Sequence, residues 1–192
     1  MDWTDSAAVE ETRKGNQHAF RVLVERHSGP VFRLTFRMTG NEQDAEDLVQ
    51  ETFLRAYKQI GRFDGRASFG TWLHRIAVNC SLDLLNARKV RRRLEPGTTD
   101  TDFSDWLDRV AVDTPSPERL THSNQIASLL RHALRRLSPP ERAAFILRHY
   151  EGCNVEEIAS ALGVRQNAAK QAVFRAVQKL RRALEPVSEV AR

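Results

Sequence analysis

The residues best equipped for chemistry lie in one stretch, Phe63–Arg93. Phe63, Phe69 and Trp72 bring flat rings, Asn79 and Asn86 bring amides, and Arg66, Arg75, Arg88, Lys89, Arg91, Arg92 and Arg93 bring cations. An unstacked base laid on a ring, bonded by an amide and held through its phosphates needs these groups close together. The candidate nucleic-acid contacts are Phe63, Arg66, Ser68, Phe69, Trp72, Arg75, Asn79, Arg88, Arg91 and Arg92. Catalysis is poorly supported. Gly65–Thr71 comes near a phosphate loop but places Thr71 where the essential Lys should stand. The six histidines, His18, His27, His74, His122, His132 and His149, show neither metal spacing nor a paired nucleophile.

A helix must carry these groups. Leu73, Ile76, Ala77, Cys80 and Leu84 fall on one stripe at a period of 3.6, while Arg75, Asn79 and Asn86 fall on another face. Ser68 or Thr71 could accept an orphan N–H at its start. A short loop, Asp64–Ser68, leads in, flanked by Phe63 and Phe69.

The chain of 192 residues has a formal charge of +5. Residues 1–93 hold 16 Lys/Arg against 12 Asp/Glu, residues 94–115 one against 6, and residues 116–192 13 against 7. Two basic blocks around an acidic one predict two small helical domains, 1–93 and 117–192, joined by a flexible acidic linker over 94–116. The fold class is all-α. Cys80 and Cys153 stand alone and read as reduced thiols of a cytosolic protein. No apolar run is long enough to span a bilayer, and the N-terminus lacks a signal-peptide core.

In chain order, Ser6–Lys14 is a helix closed by Gly15. Asn16 caps a second, with Phe20, Leu23 and Val24 inward, ended by Gly29-Pro30. Val31–Thr39 is a third, closed by Gly40. Asn41 opens a fourth, Glu42–Ile60, with Asp44 as an acidic variant of the capping box. Its core stripe is Ala45, Leu48, Val49, Thr52, Phe53 and Ala56. The helix macrodipole favours acids in the first turn. It does not account for acids continuing through Asp47 to Glu51 in a basic domain, which read as a docking face for a basic protein partner. Metal binding by Asp44, Asp47 and Glu51 lacks convergent ligands nearby.

After the linker, a helix from Pro117 to about Arg136 carries a stripe from Ile126 to Leu137. Ser138-Pro139-Pro140-Glu141 opens another, burying Ala144, Phe145, Leu147 and Tyr150 before Gly152. Asn154 caps Val155–Leu162, Gly163 turns the chain, and a final helix runs from Gln166 to Leu184, before Pro186. Short helix, Gly turn and longer helix, with Ile158, Ala159, Leu162, Val164 and Val173 inside, is a helix-turn-helix pattern. Six cations and no acid lie between Gly163 and Arg182. That distribution suits major-groove docking as well as an ordinary solvated face. Arg165, Gln166, Asn167, Lys170, Gln171, Phe174, Arg175 and Lys179 are the candidate contacts. Gln166, Lys170 and Gln171 would reach base edges, and Arg175 and Lys179 phosphates.

With these residues laid out, the chain resembles the bacterial RNA polymerase sigma factors of the extracytoplasmic-function (ECF) group. The resemblance rests on Asp44–Phe53, Thr71–Asn79, Leu137–Arg142, Glu156–Ala159 and Leu162-Gly163. It implies that Asp44, Asp47, Leu48, Gln50, Glu51 and Phe53 dock on the clamp coiled coil of the polymerase β′ subunit. It implies too that the loop after Phe63 and the Asn79 helix hold an unstacked base of the −10 promoter element. The helix-turn-helix would read the −35 element and sit on the β flap, and an anti-sigma partner is expected. No cofactor or metal is implied. One segment departs from the family pattern: Asn167-Ala168-Ala169-Lys170-Gln171-Ala172 lacks a branched core residue, a hydroxyl and a cation, which implies an unusual −35 preference.

Energetics point to a large partner independently of resemblance. Opening roughly ten base-pair steps at about 1.4 kcal/mol each costs on the order of 14 kcal/mol. One stacked base returns only about 1–3 kcal/mol. A free-standing helix-turn-helix regulator, the alternative, would leave the acidic face and the aromatic loop without a role.

Overall fold

The computed structural model describes residues 3–94, 133–134 and 136–190. The expected linker and nearly all of the helix expected after Pro117 lie outside the described residues, as do the side chains of Arg92 and Arg93. Among the described residues the secondary structure is entirely helical: α1 (Asp5–Arg13), α2 (Gln17–Thr39), α3 (Glu42–Gln59), a 3-10 turn (Ile60–Arg62), α4 (Phe69–Leu94), α5 (Pro139–His149), α6 (Val155–Leu162) and α7 (Gln166–Val190).

Most helix starts follow the predicted caps. The Asn16 side chain accepts from His18 N and Ala19 N, and Asn41 accepts from Asp44 N at 2.8 Å. Asn154 and Glu157 form a reciprocal box at the start of α6. Gly163 ends α6 in the left-handed region (φ 64°), a conformation that a Cβ would strain.

Three expectations about helix extent and burial are corrected. Gly29-Pro30 does not divide a helix, because α2 runs through it. The buried positions Ala19, Leu23, Val31, Leu34 and Met38 stay in register across the proline. Burying each large side chain is worth about 1.5–3 kcal/mol, which together outweighs roughly 3 kcal/mol for an internal proline. At the other end, α7 continues past Pro186 to Val190. Tyr150 is exposed rather than buried, and the Arg37 guanidinium lies over its ring at 4.2 Å.

The helices of 3–94 pack as α1, α3 and α4 around α2. The second set is α5, α6 and α7, with Ala133 and Leu137 against Ala176 and Leu180 of α7. The two sets touch: α6 packs on α4 and α5 on α2, and Ile158, Ala159 and Ala161 join the apolar cluster of the first set. Polar contacts fasten this junction. Arg142 donates to the Met38 carbonyl at 2.8 Å, and Glu151 meets Arg37 at 3.5 Å and His74 at 3.4 Å.

Candidate nucleic-acid and polymerase interface

Along α4, Leu73, Ile76, Ala77 and Cys80 are buried and Leu84 is half-buried, so the predicted stripe faces the core. Arg75, Asn79 and Asn86 emerge on the exposed face. Ser68 supplies the cap: Thr71 N donates to its Oγ at 3.1 Å. Ahead of it, Arg66 N donates to Asp64 Oδ1 at 3.1 Å, and Gly65 takes a positive φ of 73°. This tight turn keeps Arg66 and Ser68 exposed.

The aromatic residues are arranged differently from expectation. Phe69 is 2% exposed and Phe63 9%. Their rings meet edge-on at 5.9 Å, and each lies within 5.6 Å of the Trp72 ring, measured between centroids. His27 closes on Phe69 from α2. Phe63 and Phe69 are therefore a floor beneath the loop rather than faces offered to bases. Burial is the reason: two large apolar rings flanking a short loop gain more from the core than from water. Half-buried Trp72 is the aromatic that still reaches the surface.

Arg88 and Asp44 are also reassigned. The sequence places one among nucleic-acid contacts and the other among docking residues, yet they bind one another in a two-pronged ion pair. Planar guanidinium and carboxylate match in that geometry, which fixes the α4 C-terminal half on the start of α3. Arg91 remains exposed.

On α3, Leu48 and Phe53 are each 6% exposed and belong to the core, so neither lies on a docking surface. Asp47 and Gln50 are exposed, and Glu51 is half-exposed, holding Arg55 at 2.6 Å. Arg55 in turn reaches Asp83 of α4 at 3.1 Å. Leu54 and Tyr57, not singled out from the sequence, are large apolar side chains on the surface, 56% and 43% exposed. Their spacing from Gln50 (four and seven residues) places them along the same outer face, a signal available in the pattern.

In the helix-turn-helix, Ile158 and Ala159 are buried and Ala169 is fully so, which explains how an alanine serves where helices cross. Val164 is 42% exposed rather than inside. Arg165, just before α7, and Gln166, Asn167, Lys170, Gln171, Phe174 and Arg175 on it are all exposed. Phe174 stands 62% exposed. Lys179 is otherwise engaged: its ammonium meets Glu141 at 2.7 Å. Burial of Glu141 would raise its carboxyl pKa, but Lys179 and the Ser138 N–H prevail and hold it below the ordinary value.

Two buried titratable groups meet at the junction of the helix sets. Burial, with a contribution from the charge of His27, depresses the His74 pKa to about 4, so its ring is neutral near pH 7. Burial pushes the neighbouring Glu151 carboxyl up, against the opposing pull of Arg37 and Arg33. With the His74 ring uncharged near pH 7, its contact with Glu151 at 3.4 Å is not an ion pair there.

Known proteins match the same two regions. The Sigma-70 region 2 family model matches residues 23–92, and the Sigma-70 region 4 model matches residues 127–180. The chain is 32% identical to the RNA polymerase sigma-H factor of Pseudomonas aeruginosa over 95% of both chains. It is 31% identical to the ECF RNA polymerase sigma-E factor of Escherichia coli over 96% of both. Identity reaches 38% with the ECF sigma factor SigE of Mycolicibacterium smegmatis, although the match spans 59% of that longer relative. Among solved structures, CnrH in complex with the cytosolic domain of CnrY is similar at a TM-score of 0.63 and 26% identity, over 95% of this chain and 97% of that one. The fold of the sigma factor RpoE of Bartonella quintana, in complex with the anti-sigma factor NepR, is similar at a TM-score of 0.59, over 86% and 96%. The chain belongs to the ECF group of the sigma-70 family of RNA polymerase sigma factors.

Proposed function

We propose that this sigma factor binds core RNA polymerase through α3 and directs promoter-specific initiation by reading two elements. The −10 element falls to α4 and the Asp64–Ser68 loop, and the −35 element to α6 and α7. The observation that supports this best is the exposed Arg75–Asn79 face beside a capped loop standing on an aromatic floor. An amide can bond a flipped base there, Trp72 can flank it, and Arg66 and Arg91 can hold phosphates. On α3, Asp47, Gln50 and Glu51 supply charge, with Leu54 and Tyr57 beside them, for the β′ clamp. The α5–α7 set would sit on the β flap. One neighbour in fold is a complex with an anti-sigma factor and another a complex with the cytosolic domain of CnrY, which supports an anti-sigma partner for this chain.

Reach sets a condition on this mechanism. Elements centred 25 positions apart are about 85 Å apart along straight duplex at roughly 3.4 Å per base pair. With α6 packed on α4, the two reading sets of helices are neighbours. Engaging both elements requires the two sets to part, and polymerase is the body that can hold them apart.

Run-off transcription with core polymerase tests the proposal. Wild-type protein gives discrete start sites. Asp47→Lys abolishes the joint complex with polymerase. Asn79→Ala keeps that complex but lowers transcription and alters tolerance of −10 substitutions. Specific duplex binding by the protein alone, undiminished in Asp47→Lys, would instead favour a polymerase-independent regulator.

A further inference from the structure

The loop proposed to capture a base is tied to a helix outside the matched region 2, which begins at residue 23. Arg13 ends α1, and its guanidinium donates to two backbone carbonyls fifty residues away. Nε donates to Ile60 O at 3.2 Å, and a terminal nitrogen donates to Phe63 O. Its other terminal nitrogen donates to Glu10 at 2.6 Å, which fixes the fork one turn from the helix end. The two carbonyls belong to the 3-10 turn that closes α3 and to the residue that starts the loop. The Ile60 carbonyl also accepts from Phe63 N at 3.2 Å, and Arg13 adds a charged donor to it and to the Phe63 carbonyl, a stronger bond than water makes.

The strut stands on firm ground. Ala8, Val9 and Thr12 of α1 are buried, and Asp5 binds both Arg26 and His27 of α2. Burial would raise the Asp5 pKa, yet those two partners hold it down. At the other end, Phe63 carries the restraint into the floor, because its ring contacts both Phe69 and Trp72. Phe63 is also the last restrained residue before the exposed turn Asp64–Ser68.

We infer that Arg13 is a positioning residue for base capture: by bonding the Ile60 and Phe63 carbonyls it sets the angle at which the Asp64–Ser68 loop and Trp72 meet the −10 strand. The inference rests on the proposed role of that loop. Arg13 touches no base itself. It removes conformational freedom before DNA arrives, so its contribution appears in binding and discrimination of the exposed strand.

Two measurements on the full chain test it. Hydrogen–deuterium exchange of the free protein follows the amides of 63–68. Holoenzyme binding to forked promoter probes, whose single-stranded −10 segment comes from a mapped start site, follows affinity and discrimination among base substitutions. Arg13→Ala is expected to speed exchange at 63–68 and weaken probe binding about tenfold, the scale of one charge-assisted hydrogen bond. Polymerase binding and −35 duplex binding stay unchanged. Arg13→Lys, whose ammonium lacks the two-pronged fork, falls between Ala and wild type. Glu10→Gln, which keeps the fork, stays near wild type. Unchanged exchange and discrimination in Arg13→Ala would overturn the inference. So would a uniform loss of thermal stability and polymerase binding in both Ala and Lys variants, which marks a scaffold role only. Asn79→Ala separates the two levels: if it shifts −10 discrimination and Arg13→Ala does not, only the positioning role fails. If neither does while polymerase still binds, the base-capture reading of this loop fails with it.

Discussion

Two phenylalanines on the two proposed reading elements occupy opposite environments. Phe69, at the start of α4, is 2% exposed and packs against Phe63, Trp72 and His27. Phe174, midway along α7, is 62% exposed. Each lies near cations in the sequence, and from type and spacing each could stack on or touch a base. The difference shows two ways to build a reading surface. Around α4, a buried floor, a cap, the Arg13 bonds to the Ile60 and Phe63 carbonyls and the Arg88–Asp44 ion pair shape the surface before any ligand arrives. On α7 the surface is a bare helix face, and in the proposed −35 role the groove of a duplex would supply the shape.

Truncation of each ring is the strongest test of that contrast. Phe69→Ala is expected to cost about 3–5 kcal/mol of stability, as removal of a fully packed aromatic does. Thermal unfolding of the free protein measures it. A loss below about 1 kcal/mol would mean that the ring is not a packed support, and the contrast would break.

A pH titration measures how deeply α4 is set. His74 has a folded pKa of about 4 against 6.5 unfolded. Its pKa is depressed, so as pH falls below 6.5 the unfolded chain takes up a proton that the native one refuses. Stability is therefore lost from about pH 6.5 down to about 4, by up to about 3 kcal/mol. Glu151 works the other way: its raised pKa lets the native state take up a proton first, adding stability as pH falls. Comparing wild type with His74→Gln isolates the histidine. The variant is expected to lose less stability over that window, and parallel curves would sink the assignment.

What could be read from the chain follows the same division. The α4 stripe, the Asn16, Asn41, Ser68 and Asn154 caps and the Gly163 turn are local, governed by residues within one or two turns, and the structure has them where the spacing predicts. The errors arose where distance in the chain decides. Helix α2 crosses Pro30 because side chains on both sides share one core, which no local rule encodes. Phe63 and Phe69 turn inward onto each other and Trp72, and Phe69 also meets His27 of α2, 42 residues earlier. Arg88 looked like a free cation until Asp44, 44 residues earlier, occupied it. Arg13 shows locally only its pairing with Glu10, and the two carbonyls it bonds lie 47 and 50 residues away. Leu54 and Tyr57 could have been found, because an apolar residue on an otherwise polar helix face is itself a signal.

Cations on α7 sharpen the contrast further. Lys179 is bonded to buried Glu141, whereas exposed Arg175 hydrogen-bonds only Gln171, at 3.3 Å, among the described residues. Lys179→Ala leaves a carboxylate 10% exposed with Ser138 (its N–H and its side chain) as its remaining described partner, and is expected to cost about 1–3 kcal/mol of stability. Its effect on the salt dependence of −35 duplex binding should be slight. Arg175→Ala should do the reverse, leaving stability nearly unchanged and reducing the log–log salt slope by about 0.9. Equal slopes for the two variants would show that Lys179 leaves Glu141 to meet phosphate.

Phe174→Ala is the smallest change and the one that returns to the opening contrast. With most of its ring already in water, stability should move by no more than about 0.5 kcal/mol. Duplex affinity should fall by about 1 kcal/mol, roughly fivefold, if the ring is buried against the groove on binding. Phenylalanine cannot donate or accept a strong hydrogen bond, so the contact it can make is apolar, and thymine presents the one methyl group in the major groove. The loss should therefore concentrate on −35 sites with a thymine under α7 and shrink when uracil replaces it. A fivefold loss that ignores the methyl would place the ring against sugar or the polymerase flap. Either location would still leave Phe174 a residue that acts only when something covers it, whereas Phe69 acts before anything arrives.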